Sequence, residues 1–357
     1  MAVIKKINNL PVLIYEYSGN IPENMDVLLQ SGWVDPYAPD TACVEEATGF
    51  CNADSLLSND CLFSYDNSGY GVGCYVRYKR TVSNKDVAFE AERELHKRRV
   101  SGEFISKTAV KEIKERIKIT KLRDTTPRAT KIPFIFDDEN KRLYILTANV
   151  AFADKLQAKL SALTSISFYP VTALQYVPEN KEVDDIGEVS TAFLSWLWME
   201  SDEKSDLQLK SCIESNKTYT TQPGDIIKVK TPDGSTCSVR GDIREAKNGV
   251  FNGKKVDQYT FSLFTDGYIA TVAVNPDLSP LRISLGEIDI DTDRGELEDE
   301  IRRRFIIGTV KEVQDFLKSA YTEFFKVYSN EKAWQAKQEE MFNWSRGDVC
   351  MKTFADI

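Results

Sequence analysis

Histidine is almost absent from this chain, because His96 is the only one among its 357 residues. Nucleophilic catalysis needs a base that is oriented by an acid and partnered with a nucleophile, and nothing around His96 indicates that arrangement. Its neighbours in Glu94-Leu95-His96-Lys97-Arg98-Arg99 are typical of a partly exposed helical turn beside cations. We therefore interpret His96 as a structural residue or a phosphate contact, and we expect no catalytic residue and no enzymatic activity.

Paired cysteines of the C-x-x-C type are missing as well. The seven cysteines lie at positions 43, 51, 61, 74, 212, 237 and 350. The spacings among the first four cysteines are longer than the short spacings between neighbouring ligands in zinc sites. The sequence also has no second histidine that could act as a zinc ligand. Buried free thiols are the expected state, without a metal site.

Phosphate-binding loops are not recognisable either. Gly69-Tyr70-Gly71-Val72-Gly73 is neither a dinucleotide fingerprint nor a Walker loop, and the strand-like Cys74-Tyr75-Val76-Arg77-Tyr78 follows it, so we predict a turn entering a strand. The acidic run Asp289-Ile290-Asp291-Thr292-Asp293 could hold Mg²⁺ in a nuclease, but its spacing is also that of a polar linker. No basic general-acid partner is evident nearby, so we expect no metal site there. We expect no cofactor.

Long apolar runs are absent, and the N-terminal stretches Val3-Ile4 and Val12-Leu13-Ile14 are interrupted by polar residues and proline. Neither a signal peptide nor a spanning helix is indicated, so a cytoplasmic protein without membrane contact is expected. With 42% hydrophobic and 28% charged residues, the chain is long enough for two or three cored domains.

What the chain does contain is a strongly cationic segment. Residues 97–131 hold twelve Lys/Arg against four Asp/Glu, a net charge of +8, whereas the whole chain sums to −9 and the remainder therefore carries −17. Such one-sided segregation favours a polyanionic partner over a uniformly solvated surface.

Within this segment, five lysines follow one another at spacings of four, three, four and three: Lys107, Lys111, Lys114, Lys118 and Lys121. On a helix these spacings place all five on one narrow face, which we call the lysine stripe. Ile105, Ala109, Ile113 and Ile117 recur on roughly the opposite side. At a rise of about 1.5 Å per residue the stripe spans about 21 Å, which suits the backbone of a polyanion better than one small phosphate.

The pattern of the chain predicts an α+β fold with mixed or antiparallel sheets and a projecting helical hairpin. A first helix is expected from Asp86 to Val100, followed by the lysine-striped helix, and residues 132–136 and 143–146 are expected to form a β-hairpin. The predicted divisions are the first part of a central domain (1–85), a basic helical hairpin (86–130), the remainder of the central domain (131–178), a C-terminal α+β domain (190–330) and a C-terminal extension (331–357).

The order of several short motifs resembles the family of the bacterial recombination-associated protein RdgC. The matching stretches are Thr126-Pro127-Arg128-Ala129, Phe134-Ile135-Phe136-Asp137-Asp138, Ala151-Phe152-Ala153-Asp154-Lys155, Phe193-Leu194-Ser195-Trp196-Leu197, Val239-Arg240-Gly241-Asp242-Ile243, Asn252-Gly253-Lys254-Lys255-Val256 and Leu278-Ser279-Pro280-Leu281-Arg282-Ile283. They cover roughly residues 85–330 in the correct order. None is a catalytic signature, so the order and spacing carry the resemblance.

The resemblance implies a ring-shaped homodimer whose positively lined hole encircles duplex DNA and which restrains RecA-type strand exchange. It also implies that Arg128 and Arg240 occupy basic positions of the DNA-lined hole, and Lys254 matches the Gly-Lys element of the family. Where the family has an aromatic residue that closes the ring, this chain has Thr130. Because a threonine cannot fill an apolar aromatic pocket, ring closure and the oligomeric state stay open.

The expected function is thus sequence-nonspecific binding of double-stranded DNA by a nucleoid-associated homodimer that antagonises a RecA-type recombinase. The expected DNA-binding residues are Arg98, Arg99, Lys107, Lys111, Lys114, Lys118, Lys121, Arg128, Arg240 and Lys254. Two alternatives remain: a metal-dependent nuclease that uses scattered carboxylates, and a protein-interaction module whose basic helix docks an acidic partner.

Overall fold

The computed structural model describes residues 2–4, 6–203, 207–214, 216–231, 235–240, 244–290 and 298–347. Its strands are β1 (Ala2–Ile4), β2 (Ile7–Ser18), β3 (Glu46–Cys51), β4 (Phe63–Tyr65), β5 (Gly71–Lys79), β6 (Arg128–Asp137), β7 (Arg142–Ile145), β8 (Ser167–Pro170), β9 (Leu207–Lys210), β10 (Thr218–Lys230), β11 (Thr236–Arg240), β12 (Lys255–Phe264), β13 (Tyr268–Val274), β14 (Leu281–Leu285) and β15 (Ile288–Ile290).

The helices are α1 (Met25–Gln30), α2 (Asn84–Val100), α3 (Lys107–Asp124), α4 (Val150–Thr164), α5 (Ile186–Glu203), α6 (Arg244–Phe251), α7 (Glu298–Tyr328) and α8 (Glu331–Gly347). A short 3-10 helix spans Ala173–Tyr176. Helices and antiparallel sheets coexist, which confirms the predicted α+β class. In the described part of the chain, no helix is both long and apolar enough to cross a bilayer.

The chain forms two compact units. The hairpin unit comprises Tyr17–Ile145 and Ala151–Phe168, and the C-terminal unit comprises Met1–Glu16, Leu146–Val150 and Tyr169–Ile357. Each unit has its own run of paired strands and its own buried aromatic core.

The sheet of the hairpin unit runs in the order β7-β6-β5-β3, with β4 also paired to β5. Strands β6 and β7 form the predicted β-hairpin, and Asp137 caps its turn by accepting from the backbone N–H of Asn140 at 3.2 Å.

Gly73 in β5 lies under the ring of Phe134, so close that an added Cβ would stand 2.2 Å from the Cζ of that ring. The glycine repeat thus leads into a strand, as predicted, and glycine is required there by close packing.

Helices α2 and α3 form the predicted helical hairpin, which has a small core of its own. Its buried residues are Val87, Ala91, Leu95, Ile113 and Ile117. The first helix starts slightly earlier than predicted. Ser83, rather than Asp86, is the N-cap, because its side chain accepts from the backbone N–H of Asp86.

The sheet of the C-terminal unit runs in the order β11-β10-β12-β13-β14-β2, and β9 pairs with the other end of β10. Helix α5 packs on β12 and β10, and α7 packs on α5 and β13. Aromatic residues dominate the contact, with the rings of Phe193 and Tyr321 only 3.9 Å apart at their centroids. The aromatics of α5 are therefore core residues.

Helix α8, in the predicted C-terminal extension, packs on its own unit. Trp344 meets Trp198 edge to face at 4.8 Å, and its indole N–H donates to the Asp202 carboxylate at 2.8 Å. Lys247 lies 4.8 Å from the centre of the same indole ring and pairs with Asp202 at 2.7 Å. These contacts explain why the extension carries tryptophan, while residues 348–357 lie outside the described part.

We expect Trp344→Ala to lower the free energy of unfolding by about 3 kcal/mol, because it empties a buried aromatic site and removes a hydrogen bond. Phe342→Ala on the same helix is the control, since Phe342 is 48% exposed and stacks only on Phe251 at 4.9 Å. Its loss is expected to be about 1 kcal/mol. Equilibrium urea unfolding of both variants measures the difference, and equal values would contradict the packing role given to Trp344.

Candidate nucleic-acid interface

The lysine stripe lies on one side of α3, beside the face that packs on α2. At about 100° of rotation per residue, its centre is about 100° around the helix from Ile113 and Ile117. The sequence interpretation placed the apolar residues roughly opposite, and this position is therefore a correction. Because the stripe borders the packed face, some of its lysines reach carboxylates outside α3.

Two of the five lysines are neutralised in this way. Lys118 contacts the Glu45 carboxylate at 2.7 Å, and Lys121 contacts Glu90 of α2 at 2.7 Å. The hydrogen bond to Glu45 raises the pKa of Lys118, and it lowers the pKa of Glu45. The hydrogen bond to Glu90 likewise raises the pKa of Lys121. This half of the stripe, near the end of α3, therefore carries charges that are already matched within the protein.

The other three lysines, Lys107, Lys111 and Lys114, are exposed. Within the described ranges, no carboxylate lies at salt-bridge distance from any of them. We call them the open lysine row. Helix α3 supports the row rigidly, because Ser106 caps its start by accepting from the N–H of Ala109 at 3.1 Å and because the opposite helix covers its apolar face.

The two arginines predicted at the end of α2 differ from each other. Arg98 contacts Glu94 at 2.9 Å and Glu103 at 3.5 Å, and Arg116 of α3 contacts the same Glu94 carboxylate. Arg98 therefore belongs to an ion-pair network that joins the two helices. Arg99 is exposed, and it adds a cation to the same end of the hairpin as Lys107.

Arg128 lies at the start of β6, in the hairpin unit. It is exposed and stands directly opposite Lys79 of β5 in the strand register. The two like charges repel each other, and on its other side Lys79 stands opposite Glu46 of β3. Thr130 is exposed two residues further along the same strand, opposite Arg77.

Arg240 and Lys254 belong to the C-terminal unit. Arg240 is the exposed last residue of β11, and residues 241–243 of the motif that contains it lie outside the described part. Lys254 follows α6 and lines a cavity of about 280 Å³ together with Thr191, Trp334 and Phe342. The structure thus brings Arg98, Arg99, the stripe and Arg128 into one unit, and the two remaining residues into the other.

Three exposed apolar side chains of the helical hairpin were not predicted as site residues: Phe89, Val100 and Phe104, with exposures of 71%, 75% and 92%. Phe89 and Val100 lie on the outer face of α2 with Arg93 and His96, at positions i, i+4, i+7 and i+11. That spacing was available in the sequence as a second, mixed stripe. The exposure of Phe104 was not, because a single apolar residue in a turn carries no periodicity.

The described cysteines are all free thiols, and they differ in exposure, with Cys43 and Cys237 partly buried. Cys51 and Cys74 are buried and face each other across β3 and β5, and their hydrogen bond together with burial raises the pKa of Cys51. Cys61 and Cys212 are exposed, so the prediction of buried thiols is wrong for these two, which lie on surface loops. Cys350 lies outside the described residues.

Most of the acidic run that begins at Asp289 also lies outside the described residues. Of Asp289 itself only the backbone is described.

A comparison of the chain with protein-family models finds no match, and a comparison with curated proteins finds none either.

Proposed function

We propose that this protein binds double-stranded DNA without sequence preference, through contacts to the phosphate backbone. The observation that carries the proposal is the open lysine row: Lys107, Lys111 and Lys114 are exposed and unpaired among the described residues, on a capped and packed helix. Their neighbours Lys118 and Lys121 are matched by carboxylates. Three aligned cations left without counter-charges are suited to an external polyanion.

The spacing of the row suits a nucleic-acid strand. From Lys107 to Lys114 the helix rises about 10 Å, and one strand of B-DNA presents a phosphate about every 3.4 Å along its axis. The row therefore spans about three phosphate intervals of one strand. A lysine ammonium is a flexible point charge without the planar geometry that reads base edges, so contacts of this kind position the duplex and do not select its sequence.

The charge of the remaining chain supports the same conclusion. Outside residues 97–131 the net charge is −17. Acidic surface repels DNA, so attraction is concentrated where the hairpin presents its cations. Arg99 and Arg128 add exposed positive charge to the same unit.

A finer proposal follows from the resemblance to the RdgC family. The protein would act as a nucleoid-associated homodimer that closes around duplex DNA and restrains strand exchange by a RecA-type recombinase. The positions of Arg128, Arg240 and Lys254 in the family-like motifs support it. Covering the duplex excludes other proteins from it, which is the physical basis of the proposed restraint.

The first experiment measures binding of the full chain to short fluorescent duplex and single-stranded DNA at several salt concentrations, with its molar mass determined in the same buffers. A dimer that binds duplex with a steep negative salt slope is the expected result. Absence of binding at low salt would overturn the proposal. Degradation of the DNA with Mg²⁺ would indicate a nuclease instead, and a DNA-free, salt-insensitive complex from cells would indicate an interaction module.

Ring closure has its own test. A closed clamp loaded on circular DNA at low salt is expected to remain on it when the salt is raised, and to leave once the circle is cut by a restriction enzyme. Equal loss from circular and linear DNA would contradict encirclement and leave phosphate binding unaffected.

A further inference from the structure

The turn between α2 and α3 exposes a phenylalanine at the tip of the helical hairpin. Phe104 is 92% exposed, the largest exposure among the large hydrophobic side chains of the described residues. Val100, at the end of α2, is 75% exposed close to it in the chain. An aromatic ring left this open in water is a candidate contact for a partner.

The backbone of the turn is fixed, so the exposure does not arise from fraying. Gly102, with φ of +81°, ends α2, and its N–H donates to the Arg99 carbonyl at 3.0 Å. The N–H of Glu103 donates to the Arg98 carbonyl at 3.0 Å. On the other side Ser106 caps α3. Both neighbours of Phe104 are thus anchored, and the ring is presented outward from a defined turn.

Ile105 adds a further anchor. Its side chain is partly buried and packs on the core of the helical hairpin, directly after Phe104 in the chain. The two adjacent apolar side chains of the turn therefore differ in environment. Ile105 packs on the hairpin core, and Phe104 is exposed to solvent.

The charges around the ring indicate the class of partner. Between residues 97 and 107 the chain has four cations, Lys97, Arg98, Arg99 and Lys107, and one anion, Glu103. Glu103 is engaged by Arg98 at 3.5 Å. An acidic protein would satisfy the cations, but the open lysine row next to the tip continues the positive charge along α3 for a length that suits a phosphate backbone.

We propose that Phe104 is a wedge that inserts between neighbouring base pairs of the bound duplex, or stacks on an unpaired base, while the flanking cations hold the phosphates. Apolar side chains flanked by Lys and Arg act in this way in proteins that kink DNA. The inference rests on the proposed DNA binding and adds a mode of contact to it. It assigns the tip a role in deforming DNA, which the lysines alone do not perform.

The test uses a duplex with 2-aminopurine in its centre and a second duplex with a donor and an acceptor dye at its ends. Wild-type protein is expected to change the 2-aminopurine fluorescence and to raise the energy transfer through bending. Phe104→Ala is expected to lose both signals and to bind about tenfold more weakly. Phe104→Trp is expected to retain them.

Phe89→Ala is the matched control, since Phe89 is an exposed phenylalanine of the same hairpin, on the outer face of α2. It should leave binding and both signals unchanged. If wild-type protein binds DNA and Phe104→Ala gives the same affinity and the same signals, the wedge is refuted and DNA binding stands. If Phe104→Ala changes the molar mass and not the bound DNA, the tip is a protein contact and the wedge is equally refuted. If wild-type protein binds no DNA, the proposed function fails first.

Discussion

Replacing Lys107, Lys111 and Lys114 together with glutamate is expected to weaken duplex binding at low salt by about a hundredfold or more. Each lysine of the open row neutralises one phosphate and releases its condensed counterion, so the slope of log affinity against log salt should also become shallower by about 3. The loss should be similar for unrelated sequences, because no base edge is read. Titrations of two unrelated duplexes over a salt series measure both quantities.

A matched control separates the open row from the net charge of the protein. Lys210, Lys318 and Lys332 are exposed lysines of the C-terminal unit, and their triple replacement by glutamate changes the formal charge by the same amount. This control is expected to reduce affinity only slightly. If both triple variants lose affinity equally, the protein acts through its overall charge, and the open lysine row has no special role.

Lys118 and Lys121 give an internal comparison on the same helix. Their charges are already matched by Glu45 and Glu90. Binding to phosphate would have to replace an existing ion pair, so alanine at these positions should alter the salt slope less than alanine at Lys111 and Lys114. The sequence interpretation treated all five lysines alike.

Arg80→Ala is expected to destabilise the hairpin unit by about 3 kcal/mol or more. Its guanidinium is buried and donates to three backbone carbonyl groups, with Nε to Thr125 at 3.1 Å and the other two nitrogens to Thr41 and Pro36. Thr125 is the C-cap of α3, so the arginine ties the base of the helical hairpin to the loop before β3. Removal leaves three acceptors without this donor and creates a cavity.

Arg77→Ala is the control for this prediction. Arg77 lies on β5, which ends directly before Arg80. Its side chain is 28% exposed and contacts the Glu46 carboxylate at 3.2 Å. A partly exposed ion pair of this kind contributes about 1 kcal/mol or less. Equilibrium urea unfolding of the two variants should therefore differ clearly. Similar midpoints and slopes for both variants would show that the carbonyl contacts of Arg80 do not anchor the hairpin.

Local patterns in the sequence predicted much of the fold. The periodic lysines and isoleucines of α3 and the turn of the β6–β7 hairpin are each contained in a short stretch of chain, and the structure confirms these elements. The cap of α2 was missed by three residues because Ser83 and Asp86 are both good cap residues, and only the geometry decides between them.

The candidate site was less predictable because its electrostatics depend on distant contacts. Glu45 contacts Lys118 although the two residues are far apart in the sequence, and no local spacing predicts that ion pair. The division of the stripe into a paired half and an open half therefore could not be read from the sequence. The same holds for Arg80, whose three acceptors come from separate loops, and for Phe104, whose exposure depends on how two helix ends are capped.

The N-terminal strand β2 has a consequence for how the protein is made. In the C-terminal unit it pairs with β14, and the N–H of Asn9 reaches the hydroxyl of Ser284 at 2.9 Å, although the two residues are 275 positions apart. On the ribosome, β2 emerges long before β14. Domains usually fold as soon as their own chain is complete, and distant strand pairs form slowly. The helical hairpin, whose contacts are local, can form early in synthesis, whereas the sheet of the C-terminal unit is completed only when translation has passed β14.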